Sequence, residues 1–388
     1  MKNNMDLSFT TTEIAFRAEA RAWLEENVPA EPLPSHNTAE GFAAHVQWEK
    51  KLFEAGWAVV SWPAEYGGRA ASLVEWCIFE EEYYRAGAPP RVTQNGIFLL
   101  APALFEFGTD EQKERILKPM AAAEYLWAQA WSEPNAGSDL ANVAGKAQQV
   151  EGGWRLSGQK TWCSRGSFSN GAHGLFRTDP DSERHLGLTY FMVHLDQPGV
   201  TIRAVDDLAG EQAFAEIFFD EVFVADQDII GEVNQGWTVA MATTSSERGL
   251  ALRSPGRFVA NANRLIDLWQ DRGAELRLRD RVLQSWMDAD AYRLRTFSTV
   301  NRMNQGEQLG ADSSLNKIFW SEMDIATHET AMEILGSQGE LIPAAPNAAD
   351  NGAWPQGFLF SLAGPIYAGT NEIQRNIVAQ RVLDLPKK

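Results

Sequence analysis

Phe16, Ala20, Trp23 and Leu24 recur at helical spacing near the start of the chain, which predicts an amphipathic helix with that face turned toward a core. Thr11 or Thr12 is the expected cap, and Pro29 lies beyond the expected end. Similar periods predict helices over 38–55, 73–86 and 110–120, with a loop at 62–68 between them. From about residue 124 to 227 the texture changes to short runs rich in β-forming residues, at 154–156, 188–194, 200–204 and 215–224, punctuated by Gly and Asp. After Gly231 the helical period returns over 237–268, 276–304, 313–335 and 371–383. The order α–β–α predicts a mainly α protein with a central β domain. Its expected domains are 1–123 (helical), 124–230 (β) and 231–388 (helical), without internal repeats.

A chain of 388 residues with 44% hydrophobic and 22% charged content is ample for a large core divided among two or three domains. Its net charge of -18 argues against a nucleic-acid partner, because phosphate binding relies on Lys and Arg to release counterions. Only Cys77 and Cys163 are present, so no disulfide framework and no zinc spacing is expected. No export signal and no run of roughly 20 apolar residues is visible, so no membrane span is expected and a cytoplasmic location fits.

Three separated blocks carry the chemistry. SEPNAGSDLA runs from Ser132 to Ala141 and reads locally as a turn, since Pro fixes φ and Gly permits close backbone approach. GQKTWCS spans 158–164, and IYAGTNEIQRNIVAQRVL spans 366–383. With WPAEYGG (62–68), GTDEQKERILKPM (108–120) and GEVNQGW (231–237), they stand in the order found in acyl-CoA dehydrogenases. The chain resembles that family over almost its whole length.

The resemblance implies an N-terminal helical domain, a β-barrel domain and a C-terminal four-helix bundle, with FAD as cofactor and an acyl-CoA as substrate. It places Trp131 and Ser132 at the pyrimidine edge of the flavin, Trp162 and Ser164 beside the isoalloxazine ring, and Ser138 toward the CoA arm. Taken alone, Ser132 is a turn cap and Trp162, one of 14 tryptophans, a core residue. Thr370 and Glu372 match dinucleotide contacts near a helix start, a role compatible with an N-cap and a first-turn acid. Tyr367, Ala368 and Gly369 face the acyl group, and the amide of residue 368 is a donor for its carbonyl oxygen.

Many family members carry the proton-abstracting glutamate immediately before Gly-Thr, where this chain has Ala368, which has no titratable group. The family's alternative position lies on a bundle helix just before an arginine, and Glu247-Arg248 occupies it. Read without the family, that pair is a solvated helix-surface pair.

Further departures concern the segment that reaches a neighbouring subunit's FAD. Glu333-Ile334-Leu335-Gly336-Ser337 stands where relatives have Gln-x-x-Gly-Gly. An Arg-x-x-Phe-Gly stretch is absent near 271–281, where Arg279 or Arg281 is the candidate substitute. Gly336 and Ser337 keep the expected cofactor-binding place. Such losses resemble those of α2β2 heterotetramers with an unlike family member, and a homotetramer is the other assembly. The implied activity is FAD-dependent α,β-desaturation with electrons passed to an electron-transfer flavoprotein. Its competitors are an acyl-CoA oxidase, a non-dehydrogenating thioester enzyme, and a catalytically silent subunit.

Overall fold

The computed structural model describes residues 8–248, 254–307, 310–343 and 345–386, and the side chains of 244–248 and 312 lie outside that description. The first layer is helical: α1 (Thr11–Asn27), α2 (Ala39–Glu54), α3 (Leu73–Arg85), α4 (Ala101–Phe107) and α5 (Asp110–Ala121). The cap of α1 is Thr10 rather than Thr11 or Thr12. Its hydroxyl accepts from the N–H of Glu13 while the Glu13 carboxylate accepts from the N–H of Thr10, so two otherwise orphaned donors are satisfied. A π-helical turn, Asn95–Leu100, leads into α4, with the N–H of Ala101 donating to the carbonyl of Gly96.

Two buried carboxylates pin this layer together. Glu82 accepts from Arg17, Arg21 and Arg85, and although burial opposes ionisation, those bonds bring its pKa down to about 2. Glu49, fully buried on α2, accepts from Arg91 Nε at 2.6 Å and from the N–H groups of Val92 and Thr93. In the same layer the rings of Trp57 and Phe79 stack 5.5 Å apart.

The middle layer is a single sheet of β1 (Trp127–Gln129), β2 (Lys146–Val150), β3 (Gly153–Ser164), β4 (Gly171–Arg177), β5 (Leu188–His194), β6 (Val200–Val205), β7 (Phe214–Ala225) and β8 (Ile229–Ile230). The order is β6-β7-β3-β2-β4-β5-β8, with β1 joined to β4 in parallel. The four β runs read from the sequence fall on β3, β5, β6 and β7. The long β3/β7 ladder has a register shift between Lys160 and Cys163, and this irregularity positions the central motif.

The third layer holds α6 (Gly236–Arg248), α7 (Pro255–Asp271), α8 (Arg279–Asn304), α9 (Asp312–Leu335), α10 (Ala353–Ser361) and α11 (Asn371–Arg381). The predicted helix over 237–268 is therefore two helices. Ser254 caps the second through the N–H of Gly256, and Pro255 occupies its first turn, where a missing N–H costs nothing. Helix α10 falls in a stretch to which the sequence reading assigns no element, and it holds Pro355 and Gly357 within its length. No helix among the described residues is long and apolar enough to cross a membrane.

Candidate active site

The block that begins at Ser132 leaves the sheet at the end of β1 and turns tightly, with Glu133 and Ala136 exchanging backbone hydrogen bonds of 3.1 and 3.0 Å. What keeps this excursion in place is Glu133. Its carboxylate accepts from the N–H groups of Ala144 (2.7 Å) and Gly145 (2.8 Å), closing the loop, and from Lys160 Nζ at 2.8 Å. Lys160 is fully buried on β3 and also donates to the Leu175 carbonyl at 2.7 Å. Burial lowers the pKa of its ammonium, and the Glu133 charge works against that loss. Sequence reasoning passed over both residues, although each lies in or beside a quoted motif. A lysine inside an otherwise strand-like run was the available signal.

The first two blocks meet directly: the N–H of Thr161 donates to the carbonyl of Ser132 at 2.9 Å. Gly158 makes the approach possible. It sits at φ +149°, and a Cβ there would lie 2.9 Å from the Cα of Gly145, so two glycine backbones pass in contact. The Trp131 indole is turned inward, donating to the Tyr190 hydroxyl at 3.0 Å, which leaves only its backbone for a ligand. Tyr190 in turn meets His173 Nδ1 at 2.7 Å. Ser138 is exposed at the outer end of the loop.

At the register shift in β3, Trp162 adopts a left-handed backbone (φ 58°), an uncommon conformation for a bulky residue. Its ring is 61% exposed and edge-on to Phe214, with centroids 5.7 Å apart. Trp162 is thus not a core residue. The carbonyl of Ser164 accepts from Asn95 Nδ2 at 3.1 Å, so the π-helical turn of the first layer is tied to the end of this strand.

The third block is seated on the bundle, against α9. Tyr367 stacks on Trp320 with centroids 5.9 Å apart. Ala368 (φ 55°) and Gly369 (φ 79°) are both left-handed, and their carbonyls are held by the buried Gln374, whose Nε2 donates to each at 3.1 Å. Thr370 is the N-cap of α11, accepting from the N–H of Ile373, and the next residue, Asn371, is buried and accepts from Lys317 Nζ at 2.8 Å. Glu372 is exposed, and its own N–H and the Thr370 hydroxyl hold its pKa below the usual carboxylate value. Gln374 is another residue that sequence reasoning missed.

Glu247 and Arg248 fall in the last turn of α6, and their side chains lie outside the described residues. Gly336 and Ser337 are exposed where α9 ends, with Gly336 at φ 55°. The Glu333 carboxylate is not left to repel a phosphate. Arg277 and Arg281 both bond to it and depress its pKa, whereas Arg279 pairs with its neighbour Asp280 at 3.2 Å.

Comparison with known proteins follows the same three layers. Residues 10–124 match the acyl-CoA dehydrogenase N-terminal domain, 128–222 the middle domain and 234–383 the C-terminal domain. Acyl-CoA dehydrogenase IpdE1 of Mycolicibacterium smegmatis is 37% identical over 96% of this chain and 98% of its own length. The ChsE4-ChsE5 complex from Mycobacterium tuberculosis superposes with a TM-score of 0.84 at 26% identity, covering 99% of this chain and 100% of that one. The Tcur3481-Tcur3483 steroid ACAD gives the same TM-score, identity and coverage. The joined Ser132 and Thr161 blocks with their Gly145–Gly158 contact, the capped turn before α11 and these near-full-length matches agree, and the chain is a member of the acyl-CoA dehydrogenase family.

Proposed function

We propose that the chain desaturates an acyl-CoA thioester between Cα and Cβ with FAD as cofactor, and that Glu247 takes the α-proton. The observation that carries this reading is the junction of the Ser132 and Trp162 blocks. It offers backbone groups at 131–132, an exposed indole and the Ser164 hydroxyl along one strand end, a set suited to a flat, hydrogen-bonding ring system. Bound there, FAD supplies the acceptor for the β-hydride. The chain's own residues orient the substrate, exclude water and handle the proton. Ser138 reaches toward the CoA arm from the exposed loop, and Thr370 and Glu372 meet the dinucleotide at the start of α11. Gly336 and Ser337 belong to the part of the assembly that meets a second subunit's cofactor.

Position 247 lies in the last turn of α6, one helical turn beyond Thr243. Arg248 follows it and is assigned to substrate binding. Ala368 leaves the older base position empty of any carboxylate. Tyr367 and Gly369 flank it and shape the acyl site, and the two carbonyls fixed by Gln374 orient the strand of amides that includes the 368 N–H. The electron acceptor in this reading is an electron-transfer flavoprotein.

Trp162→Ala and Ser164→Ala test the flavin wall. Each is expected to shift the visible flavin spectrum or slow flavin reduction by roughly tenfold or more with the helical layers intact by circular dichroism. Unchanged spectra and rates in both variants overturn the placement.

The assembly in this reading is an α2β2 tetramer with an unlike family member. Helix α8 exposes Leu283, Trp286, Met287 and Leu294 on one side, an apolar stripe of the kind a bundle buries against a second subunit. Ser337 stands where a glycine would let the backbone approach a phosphate. Glu333 occupies Arg281, and Arg277 is shared between Glu333 and Glu275, so neither arginine is offered to that phosphate. The chain expressed alone is expected to carry fewer than one FAD per subunit by native mass spectrometry, with full loading on co-expression of the unlike member. A homotetramer with four tightly bound FAD that turns over acyl-CoA rules this out.

A further inference from the structure

The buried pair of Glu133 and Lys160 is built asymmetrically. Nζ of Lys160 has three acceptors around it: Glu133 Oε1 at 2.8 Å, the Leu175 carbonyl at 2.7 Å and the Trp131 carbonyl at 3.4 Å. Three acceptors match the three N–H bonds of an ammonium, and a neutral amine has one donor too few. The carboxylate is held in turn by the N–H groups of Ala144 and Gly145. A Cβ at Gly145 would lie 2.8 Å from Glu133 Oε1, so the carboxylate is packed tightly against that backbone. The pair is a fixed dipole, its negative end bedded in the 144–145 amides and its positive end set against the Trp131 carbonyl.

Lys160 and the residue after it hold successive carbonyls of the motif that the dehydrogenase reading sets at the pyrimidine edge of the flavin. Nζ of Lys160 takes that of Trp131, and the N–H of Thr161 takes that of Ser132 at 2.9 Å. With both carbonyls accepting from β3, the polarity that this segment has left is that of donors, its N–H groups and the Ser132 hydroxyl. Beside those donors stands a cation kept from water: Lys160 is fully buried, and the centre of the Phe176 ring lies 4.6 Å from Nζ. A charge in such surroundings acts over a longer range than a solvated one, and salt screens it less. The place suits a ring that gains negative charge.

We propose that Lys160 tunes the cofactor: its ammonium stabilises the negative charge that FAD acquires on reduction and so makes the bound ring a stronger acceptor. The inference rests on the dehydrogenase reading and adds to it a residue that acts through its charge without touching substrate. In that reaction Glu247 keeps the α-proton, and the β-hydride brings the ring two electrons and one proton, so one negative charge stays on the ring unless a second proton arrives. That charge is delocalised over the pyrimidine end, and charge placed near the ring nitrogens is one of the ways in which a protein sets a flavin's electronics. Glu133 works in the opposite sense, as an anion whose field on the ring offsets part of that of Lys160.

The test measures the flavin potential of the FAD-loaded assembly without substrate, by equilibration with a redox dye of known potential. At a fixed dye poise Lys160→Met is expected to lower the ratio of reduced to oxidised flavin by at least tenfold, about 30 mV for a two-electron couple, and Glu133→Gln, which leaves the ammonium without its anion, to raise that ratio. Lys160→Arg, which keeps the charge, stays near the wild type. A merely structural role moves Lys160→Met and Glu133→Gln in the same direction, because each breaks the same pair. Shifts of one sign, or no shift in either, overturn the inference. If Lys160→Met does not fold or does not hold FAD, the sign of the Glu133→Gln shift decides, together with proton uptake by the wild type. In slightly acidic buffer, where free reduced FAD is mostly uncharged, the bound flavin is expected to take up one proton per two electrons, and an uptake of two overturns the inference. Opposite shifts in a flavin that no acyl-CoA reduces keep the tuning and remove the dehydrogenase reading. Reduction by an acyl-CoA with shifts of one sign removes the tuning alone, and an assembly that binds no flavin with FAD in excess removes both.

Discussion

Flavin reduction by an acyl-CoA is expected to fall by roughly 10²–10⁴-fold when Glu247 is replaced by glutamine, with FAD still bound. The magnitude follows from the role. An α-proton beside a thioester is a weak acid, and an amide does not accept it, whereas removing a merely solvated helix-surface glutamate costs less than about 1 kcal/mol. Ala368 has no titratable group to take over. Anaerobic stopped-flow mixing, with flavin bleaching as the signal, separates the two cases in one experiment. Reduction of Glu247→Gln at the wild-type rate refutes the assignment.

Lys160→Met is expected to destabilise the protein by roughly 3–5 kcal/mol, because it leaves the Glu133 carboxylate buried without its cation. The loss falls on one place. Glu133 closes the 133–145 loop through two backbone N–H groups, so a protonated or displaced Glu133 releases the Ser132 block from the sheet. Urea titration gives the stability change, and FAD loading without denaturant at a temperature well below the transition gives the local one. The double variant Lys160→Met with Glu133→Gln is expected to recover part of the stability, since no uncompensated charge remains. A single variant as stable as the wild type would mean that the pair contributes no net interaction.

Where the chemistry is written in short contiguous strings, it is legible in the amino-acid sequence. The Ser132 and Trp162 blocks and the Thr370 cap carry their own turn and cap signals. Strand runs such as 188–194 also stand out, because an almost continuously apolar stretch has few other homes in a protein of this size. What stays hidden depends on pairs far apart in the chain. Glu133 with Lys160, Asn95 with Ser164 and Arg91 with Glu49 look like ordinary polar residues until the fold removes water from around them. The break at Ser254 is masked because the hydrophobic period of α6 and α7 runs through it, and periodicity alone does not register a cap. Helix α10 escapes for the opposite reason: two nominal breakers sit inside it and are tolerated by packing, as when Trp354 is buried near His328. The pairing of Glu333 with Arg277 and Arg281 joins helices whose sequence separation carries no local signal.

The wide turn at 95–100 makes this part of the chain a length gauge. Its hydrogen bonds reach one residue further than those of an α-helix, so the segment holds a residue that ordinary winding would not need. With that one wide turn already used, a further residue inserted there would swing everything on its upstream side by about 100° relative to α4. Asn95 would then leave the Ser164 carbonyl, and the first layer would no longer be indexed to the strand that carries Trp162. Surface loops elsewhere accept changes of length at little cost, but this turn counts residues.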